Sequence, residues 1–208
     1  MNTINKIKVL LFAFLIYFPL LPGSMDSGAM NLDLQQELLT LYKEDQSLRE
    51  AFIEGDRDPE IGKKICKLDA SHTVRLKEIL NQVGWPGYQL VGENGSNAMW
   101  LLVQHTPDRE FQKNALEHLQ KAVDDGDASP LNLAYLMDRV LMYEGKKQIY
   151  GTQWDNITTK NVVLYPTEDF QTINERRLSV GLNTIEESRQ VLIHIYKLFE
   201  EDVSFGTQ

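Results

Sequence analysis

NAMWLLVQHTPDREFQKNALEHLQKAVDDGDASPLNLAYLMDRVLMYEGKKQIYGTQ, residues 97–153, carries polar side chains inside segments that are too apolar to lie at a surface. The polar groups are Gln104-His105, Asp138-Arg139 and the run 148–153. An unpaired polar group in an apolar interior costs roughly 2–7 kcal/mol, and an unpaired charge costs more. A chain that keeps several such groups must pair them or use them, so any function is expected here.

The same stretch has clear helix boundaries. Thr106-Pro107 and Ser129-Pro130 each place a capping hydroxyl before a proline, which is typical of a helix start. They predict helices over Pro107–Val123 and Pro130–Glu144, which together form an antiparallel hairpin. The apolar segment Asn97–His105 before them predicts a buried helix.

Upstream, leucines recur at three- and four-residue steps and predict a long amphipathic helix over Asn31–Glu54. The charged segment 56–68 contains Pro59 and Gly62 and predicts a loop or a short helix. A further helix is expected over Thr73–Val83, capped by Asp69 or Ser71. The glycines and the proline of Gly84–Gly87 then end it, and a second turn is predicted over Gly92–Ser96.

Downstream of Gly145 the pattern changes to β-branched and aromatic residues. Gln148–Trp154 and Asn161–Pro166 predict a small β-hairpin, about Gln148–Pro166, packed on the helices. Helices are expected to return over Ile173–Gly181 and Thr184–Glu201, followed by a loose tail, residues 203–208. The predicted fold class is therefore α+β, mainly α, with one compact domain over residues 30–202.

The first 29 residues have the pattern of a secretory signal peptide. Lys6 and Lys8 precede the apolar run Val9–Leu21, which small residues follow. The run is short for a bilayer-spanning helix, which needs about 20 apolar residues, although an uncleaved N-terminal anchor is the alternative. The sequence predicts an exported protein, periplasmic or secreted, with no other contact to the membrane.

Composition narrows the classes of partner. The formal net charge is −9 and the acidic residues are spread along the chain, which disfavours nucleic acid. Cys66 is the only cysteine, so no intramolecular disulfide can form, and it is expected to be structural rather than catalytic. The histidines lack metal-ligand spacing and phosphate-binding loops are missing, so neither a metal nor another cofactor is predicted. The expected partner is a small molecule or a protein, of unknown identity.

Asp138 and His105 are the candidate acid/base residues. The positions three and four residues from Asp138 are largely apolar, so its carboxylate is expected to be poorly solvated. His105 ends an apolar helix at a core boundary, and imidazole is suited to proton transfer near neutral pH. In the alternative interpretation, Asp138 accepts hydrogen bonds from the hairpin backbone, Arg139 ties helix ends together, and His105 is a capping residue.

Further candidates are expected to bind a ligand. Gln104 lies beside His105, Arg139 could hold an anionic group, and glycine inside a strand, as at Gly151, marks a bulge or a close approach. Aromatic rings could line a groove, although core packing explains them as well. The predicted ligand-binding set is Trp85, Gln104, Arg139, Gln148, Tyr150, Gly151, Thr152 and Gln153.

An ordered set of short motifs resembles a bacterial family catalogued as a domain of unknown function, number 6624. The motifs are Gly84-Trp85-Pro86, Gln104-His105, residues 134–140, residues 148–153, and Arg176-Arg177 before Gly181-Leu182. The resemblance spans about Asp69–Leu182 and implies that the candidate residues match the family's hallmark positions. It implies no activity. The family more usually has asparagine where this chain has His72, so His72 is not expected in a shared chemistry.

Two hypotheses follow. The first is a small-molecule-binding or hydrolase-like domain whose polar pocket uses His105 and Asp138 as acid and base. The second is a non-enzymatic exported interaction or structural protein in which the same residues form a buried network. The sequence does not decide between an enzyme and a binding protein.

Overall fold

A computed structural model describes residues 30–55, 57–155, 161–196 and 198–206. The predicted signal segment, residues 1–29, lies outside these ranges. Within them there are seven α-helices and a small three-stranded sheet, which confirms the mainly α fold class with a small β part. None of the helices in the described ranges is both long and apolar enough to cross a bilayer.

Five helices form the N-terminal part. They are α1 (Leu32–Glu54), α2 (Pro59–Val83), α3 (Tyr88–His105), α4 (Arg109–Asp124) and α5 (Pro130–Tyr143). Helix α3 lies at the centre, and Met99 and Val103 on it are fully buried against leucines of the other helices. Ser129 caps α5 by accepting a hydrogen bond from the backbone N–H of Asn132, and Pro130 begins the helix as predicted. At α4 the cap is Asp108 rather than Thr106.

The prediction of a loop or a short helix over residues 56–68 is wrong, because the long helix α2 begins at Pro59 and continues unbroken to Val83. Its cap is Asp58, whose carboxylate accepts from the backbone N–H of Glu60. A glycine within a helix costs about 1 kcal/mol relative to alanine. Gly62 is accommodated because the Phe52 ring packs against it, where an added Cβ would lie 3.2 Å from Phe52 Cε2.

The turn predicted over Gly92–Ser96 is reduced to a kink within α3. Only Gly92 leaves the helical conformation, at φ 68 and ψ 170. The side-chain amide of Gln35 donates to the freed carbonyl of Val91 at 2.8 Å. The kink therefore leaves this carbonyl paired, and the helix resumes beyond it.

The C-terminal part surrounds the sheet. Its elements are β1 (Trp154–Asp155), β2 (Val162–Leu164), a 3₁₀ turn (Phe170–Thr172), α6 (Ile173–Ser179), α7 (Ile185–Tyr196), a second 3₁₀ turn (Glu200–Asp202) and β3 (Val203–Ser204). A second apolar cluster lies here, with Leu164, Ile173 and Ile185 at its centre. The chain thus has two apolar cores, joined by residues 144–153.

The predicted hairpin is present but much shorter than expected. Strands β1 and β2 pair antiparallel, with Trp154 opposite Leu164, and residues 156–160 of the predicted turn lie outside the described ranges. The first predicted strand is wrong over residues 148–153, which form a loop apart from a single bridge from Gln148 to Thr167. Gln148 and Gln153 at its ends still pair with the backbone of residues 165–168, whereas side chains bind the backbone of residues 149–152.

The tail predicted to be loose from residue 203 is instead ordered over Val203–Ser204. This segment forms β3, parallel to β2, and Val203 is buried. The Arg189 side chain on α7 donates to the Val203 carbonyl at 2.9 Å. A sequence pattern two residues long could not have shown this pairing.

Candidate functional site

The predicted polar residues divide between two buried networks. One surrounds Asp138 and the loop of residues 148–153, which we call the Asp138 loop. The other contains Asp45, Arg49, Asp69, Gln104, His105 and Arg139, and we call it the His105 network. Because Asp138 and Arg139 are neighbours on α5, this helix contributes a charged side chain to each network.

The Asp138 carboxylate is fully buried and accepts four hydrogen-bonding groups from the loop. The backbone N–H groups of Ile149, Tyr150 and Thr152 donate to it at 2.7, 3.1 and 2.9 Å. The Thr152 hydroxyl donates at 2.9 Å. Burial raises the pKa of Asp138, while these donors favour the ionised form. The Asp138 carboxylate thus binds N–H groups that a neighbouring strand would otherwise bind. The alternative interpretation of the sequence predicted these hydrogen bonds from the backbone to Asp138.

Two glutamine side chains complete the loop. The Gln148 amide donates to the carbonyls of Gln153 and Tyr165 and accepts from the Gln153 backbone N–H. The Gln153 side chain in turn donates to the Thr152 hydroxyl at 2.9 Å. Both glutamines are fully buried. These hydrogen bonds of the two glutamines therefore fix the shape of the loop.

Two arginines of α6 hold the opposite side of the loop. Arg176 Nε donates to the Ile149 carbonyl at 3.0 Å, and Arg177 Nη1 donates to the carbonyls of Tyr150 and Gly151 at 2.6 and 3.2 Å. Arg177 is almost completely buried. In the middle of the loop, α5 therefore binds three N–H groups and α6 binds three carbonyls, which connects the two cores.

His105 contacts a carboxylate that the sequence analysis did not single out. Its Nδ1 lies 3.0 Å from both oxygens of Asp45 on α1, and only 4% of the His105 side chain is exposed. Because a carboxylate offers only acceptors, Nδ1 carries the proton and Nε2 carries the lone pair. Burial, followed by the charge of Arg49, lowers the pKa of His105, so the ring is neutral at pH 7.

Arg49 links the buried carboxylate of Asp45 with the partly buried carboxylate of Asp69. Its Nε donates to Asp45 at 3.0 Å and its Nη2 donates to Asp69 on α2 at 2.6 Å. Burial raises the pKa of Asp45, but the hydrogen bond from His105 and the charges around it outweigh burial and hold the value at about 2. Burial raises the pKa of Asp69 to about 6 despite Arg49. The two acids therefore differ in protonation below neutral pH.

Two residues at the end of α3 and one in the first turn of α4 each have one buried side-chain atom without a hydrogen-bond partner among the described residues: Gln104 Nε2, His105 Nε2 and Gln112 Oε1. Arg139 Nε donates to Gln104, and an arginine is donor-only, so the Gln104 oxygen must face it. Gln112 Nε2 donates to the carbonyls of Val103 and Gln104, which fixes its orientation too. The unpaired atoms are thus one donor and two acceptors.

Trp85, the remaining candidate of the predicted ligand-binding set, lies in the helical core, and His72 and Cys66 lie outside both networks. Trp85 is buried in the helical core and donates its indole N–H to the Ser96 hydroxyl at 3.1 Å. His72 contacts Glu44 through Nε2 at 3.3 Å. Cys66 is an exposed free cysteine. Within the described residues, no group of three or more His, Cys, Asp or Glu side chains could hold a metal ion.

His105 and Asp138, paired in the sequence analysis as acid and base, bind different partners in different networks. No role in catalysis is tested for either, so both assignments stay predictions, as does the ligand-binding set. One family model nevertheless matches most of the chain, over residues 32–200. The chain belongs to DUF6624, described as a family of unknown function. No curated protein and no solved structure matches this DUF6624 chain.

The sequence of this DUF6624 protein did not single out Asp45 or Arg49, and it marked Asp69 only as a possible helix cap and Arg177 only as part of a family motif. A signal for two of them exists, because Leu34, Leu38 and Leu41 continue at the same spacing to Asp45. Arg49 follows one turn later on the same buried face. A charged pair that occupies core positions of an amphipathic helix indicates a buried ionic network. Asp69 and Arg177 give no comparable signal.

Proposed function

We propose that this DUF6624 protein is an exported, hydrolase-like domain that binds a small molecule and uses His105 as a general base. The observation that supports it most is what each of the two ring nitrogens of His105 contacts. One ring nitrogen donates to Asp45, and the other is buried, carries the lone pair and has no partner among the described residues. A base held in one tautomer by a carboxylate is the arrangement that general-base catalysis needs.

The chemistry follows from the lone pair on His105 Nε2. A water molecule that donates to Nε2 loses its proton there as its oxygen attacks an electrophilic carbonyl. Asp45 stabilises the imidazolium that forms, and the proton then passes to the leaving group. The Gln104 amide N–H is a donor suited to the carbonyl oxygen. Because His105 is closely packed, the reactant at Nε2 must be as small as water.

Asp138 has no catalytic role in this proposal. Every described contact of its carboxylate comes from a donor of the loop, which favours a structural role. The same observation supports the second candidate function, a non-enzymatic interaction protein whose polar residues only hold the fold. The two candidates differ in what they require of His105, since only the first needs its lone pair.

His105→Gln is expected to lower the rate of p-nitrophenyl acetate hydrolysis by the purified chain at least tenfold, because a positioned base contributes about 10²–10⁴-fold. Asp45→Asn is expected to lower it as well, since the imidazole loses its orientation. Release of nitrophenolate at pH 7.5 is the measurement. His194→Gln is the matched control, because His194 is exposed on α7 and reports on nonspecific reaction with a surface imidazole. An unchanged rate in His105→Gln with a folded chain would contradict the proposal.

Export gives a separate prediction. A bacterium that expresses the full chain is expected to deliver it outside the cytoplasm with a new N-terminus near residue 30, as read by mass spectrometry of the exported fraction. Leu15→Arg places a charge within the apolar run and is expected to hold the chain in the cytoplasm. The substitution Glu54→Arg, in an exposed position of α1, is the control for an added positive charge. Retention of an intact N-terminus in the membrane fraction would instead support the uncleaved anchor.

A further inference from the structure

The His105 network continues beyond the His105–Asp45 pair to a second acid. The order of contacts is His105 Nδ1 to Asp45 at 3.0 Å, Asp45 to Arg49 Nε at 3.0 Å, and Arg49 Nη2 to Asp69 at 2.6 Å. The contacts join α3, α1 and α2, and only 13% of the Asp69 side chain is exposed. A single guanidinium therefore donates hydrogen bonds to two carboxylates, one of which orients the candidate base.

We propose that Asp69 is a positioning residue that acts through Arg49 to control how strongly Asp45 polarises the His105 imidazole. This inference rests on the proposed function, since it concerns the base that the function uses. When Asp69 is ionised, it shares the charge of Arg49, and more of the Asp45 charge faces His105. When Asp69 is protonated, Arg49 interacts mainly with Asp45 and weakens its hold on the imidazole proton.

The surrounding charges allow this coupling. The charged groups that act on His105 are Asp45 and Arg49 from α1 and Arg139 from α5. Those that act on Asp69 are Arg49 and Asp45. Charges interact more strongly across a poorly solvated interior than in water. Because Arg49 and Asp45 act on both Asp69 and His105, a change in the charge of Asp69 is expected to change the pKa of His105.

The direction with pH follows from the ionisation of Asp69. Burial raises the pKa of Asp69 to about 6, above its ordinary value, so its carboxylate is charged at pH 7.5 and neutral at pH 5. Asp45 stays ionised throughout, because its pKa lies at about 2. His105 is therefore expected to be the stronger base above pH 6 and the weaker base below it. Hydrolysis that depends on His105 should decline as the pH falls through this value.

The experiment is an NMR titration of the whole chain from pH 4.5 to 8. The probes are the carboxyl carbon of Asp69 and the ring nitrogens and Nδ1 proton of His105. An inflection near pH 6 is expected in the Asp69 signal, with a matching inflection in the His105 signals. His105 need not change its own protonation for this to be seen.

Three variants test the route of the coupling. Asp69→Asn retains an oxygen that can accept from Arg49 and is expected to remove the His105 inflection. Arg49→Lys keeps the charge but loses the two-pronged contact, and is expected to reduce the inflection at least twofold. Glu60→Gln is the matched control, since Glu60 lies on α2 but pairs with Lys63 at the surface, and should leave the inflection unchanged.

Several results would overturn the inference. These are an Asp69 signal that does not titrate between pH 5 and 7, His105 signals that stay flat while Asp69 titrates, or an inflection that survives in Asp69→Asn. If Asp69→Asn does not fold, the titrations of the natural chain and of Arg49→Lys still test whether Asp69 and His105 are coupled. Because the NMR readout needs no substrate, coupling without hydrolysis refutes only the proposed function, and hydrolysis without coupling refutes only the role of Asp69.

Discussion

Asp138→Asn is expected to lower the free energy of unfolding by about 3–5 kcal/mol, although it removes only a charge and changes no volume. The carboxylate accepts from three backbone N–H groups and one hydroxyl, and it has no contact with water. An amide in its place must turn an NH₂ group toward some of these donors. Each buried donor left unsatisfied costs about 1–3 kcal/mol, which accounts for the expected loss.

Denaturant unfolding of the natural chain and of the variant is the measurement. Asp124→Asn is the matched control, since Asp124 is an exposed residue of α4 whose carboxylate accepts a hydrogen bond from Gln120. It should change stability by less than about 0.5 kcal/mol. Hydrogen exchange adds a local readout, because the amides of Ile149, Tyr150 and Thr152 should exchange faster in Asp138→Asn. Equal stability of the two variants would mean that Asp138 does not hold the loop.

Thr152→Val provides a smaller, coupled change. It removes one of the donors to Asp138 and is expected to cost about 1 kcal/mol in the natural chain. In the Asp138→Asn background the same substitution should cost less, because its acceptor is already altered. The difference between the two costs measures the interaction directly.

Local signals identified the polar residues of the loop but not how they would be paired. The β-branched and aromatic residues of the segment 148–154 favour a strand, but the fold places only Trp154 in one. A strand assignment assumes that backbone groups pair with a neighbouring strand. Here a carboxylate from α5 and guanidinium groups from α6 supply those hydrogen bonds, so propensity favoured the wrong backbone arrangement. The burial of Asp138, by contrast, followed from its apolar helical neighbours.

The partner of His105 shows a second limit of sequence reasoning. Asp45 and His105 are 60 residues apart, and nothing in the local pattern around either one selects the other. The packing of α1 against α3 brings them together, because both helices present a continuous apolar face that ends in a polar group. The sequence contained both ends of the contact as buried polar positions. Identifying Asp45 rather than Asp138 as the partner of His105 required the arrangement of the helices.

Gly151→Ala is expected to destabilise the chain by about 2–5 kcal/mol, through two separate effects. Gly151 has φ +67, a left-handed conformation that costs a residue with a Cβ about 1–2 kcal/mol. An added Cβ would also lie 2.8 Å from Ile173 Cδ1 and 3.1 Å from Ile185 Cδ1. Overpacking of this kind costs about 1–3 kcal/mol more.

Gly126→Ala separates the two effects. Gly126 has a similar φ of +73, but an added Cβ there meets no heavy atom of the described residues within 4 Å. It should therefore show the conformational cost alone, and the excess in Gly151→Ala measures the close contact with the C-terminal core. Ile173→Val removes the atom in closest contact, so Gly151→Ala combined with Ile173→Val should be less destabilised than the two single changes predict together.

Gly151→Ala also shows which of the two networks hydrolysis depends on. Gly151 packs against α6 and α7, whereas His105 is bound by α1, so strain in the loop has no direct path to the imidazole. Below its melting temperature, Gly151→Ala is expected to keep the p-nitrophenyl acetate hydrolysis of the natural chain while unfolding at a lower denaturant concentration. A variant that stays folded but loses hydrolysis would instead place the reacting group at the Asp138 loop, and the general base would have to be sought there.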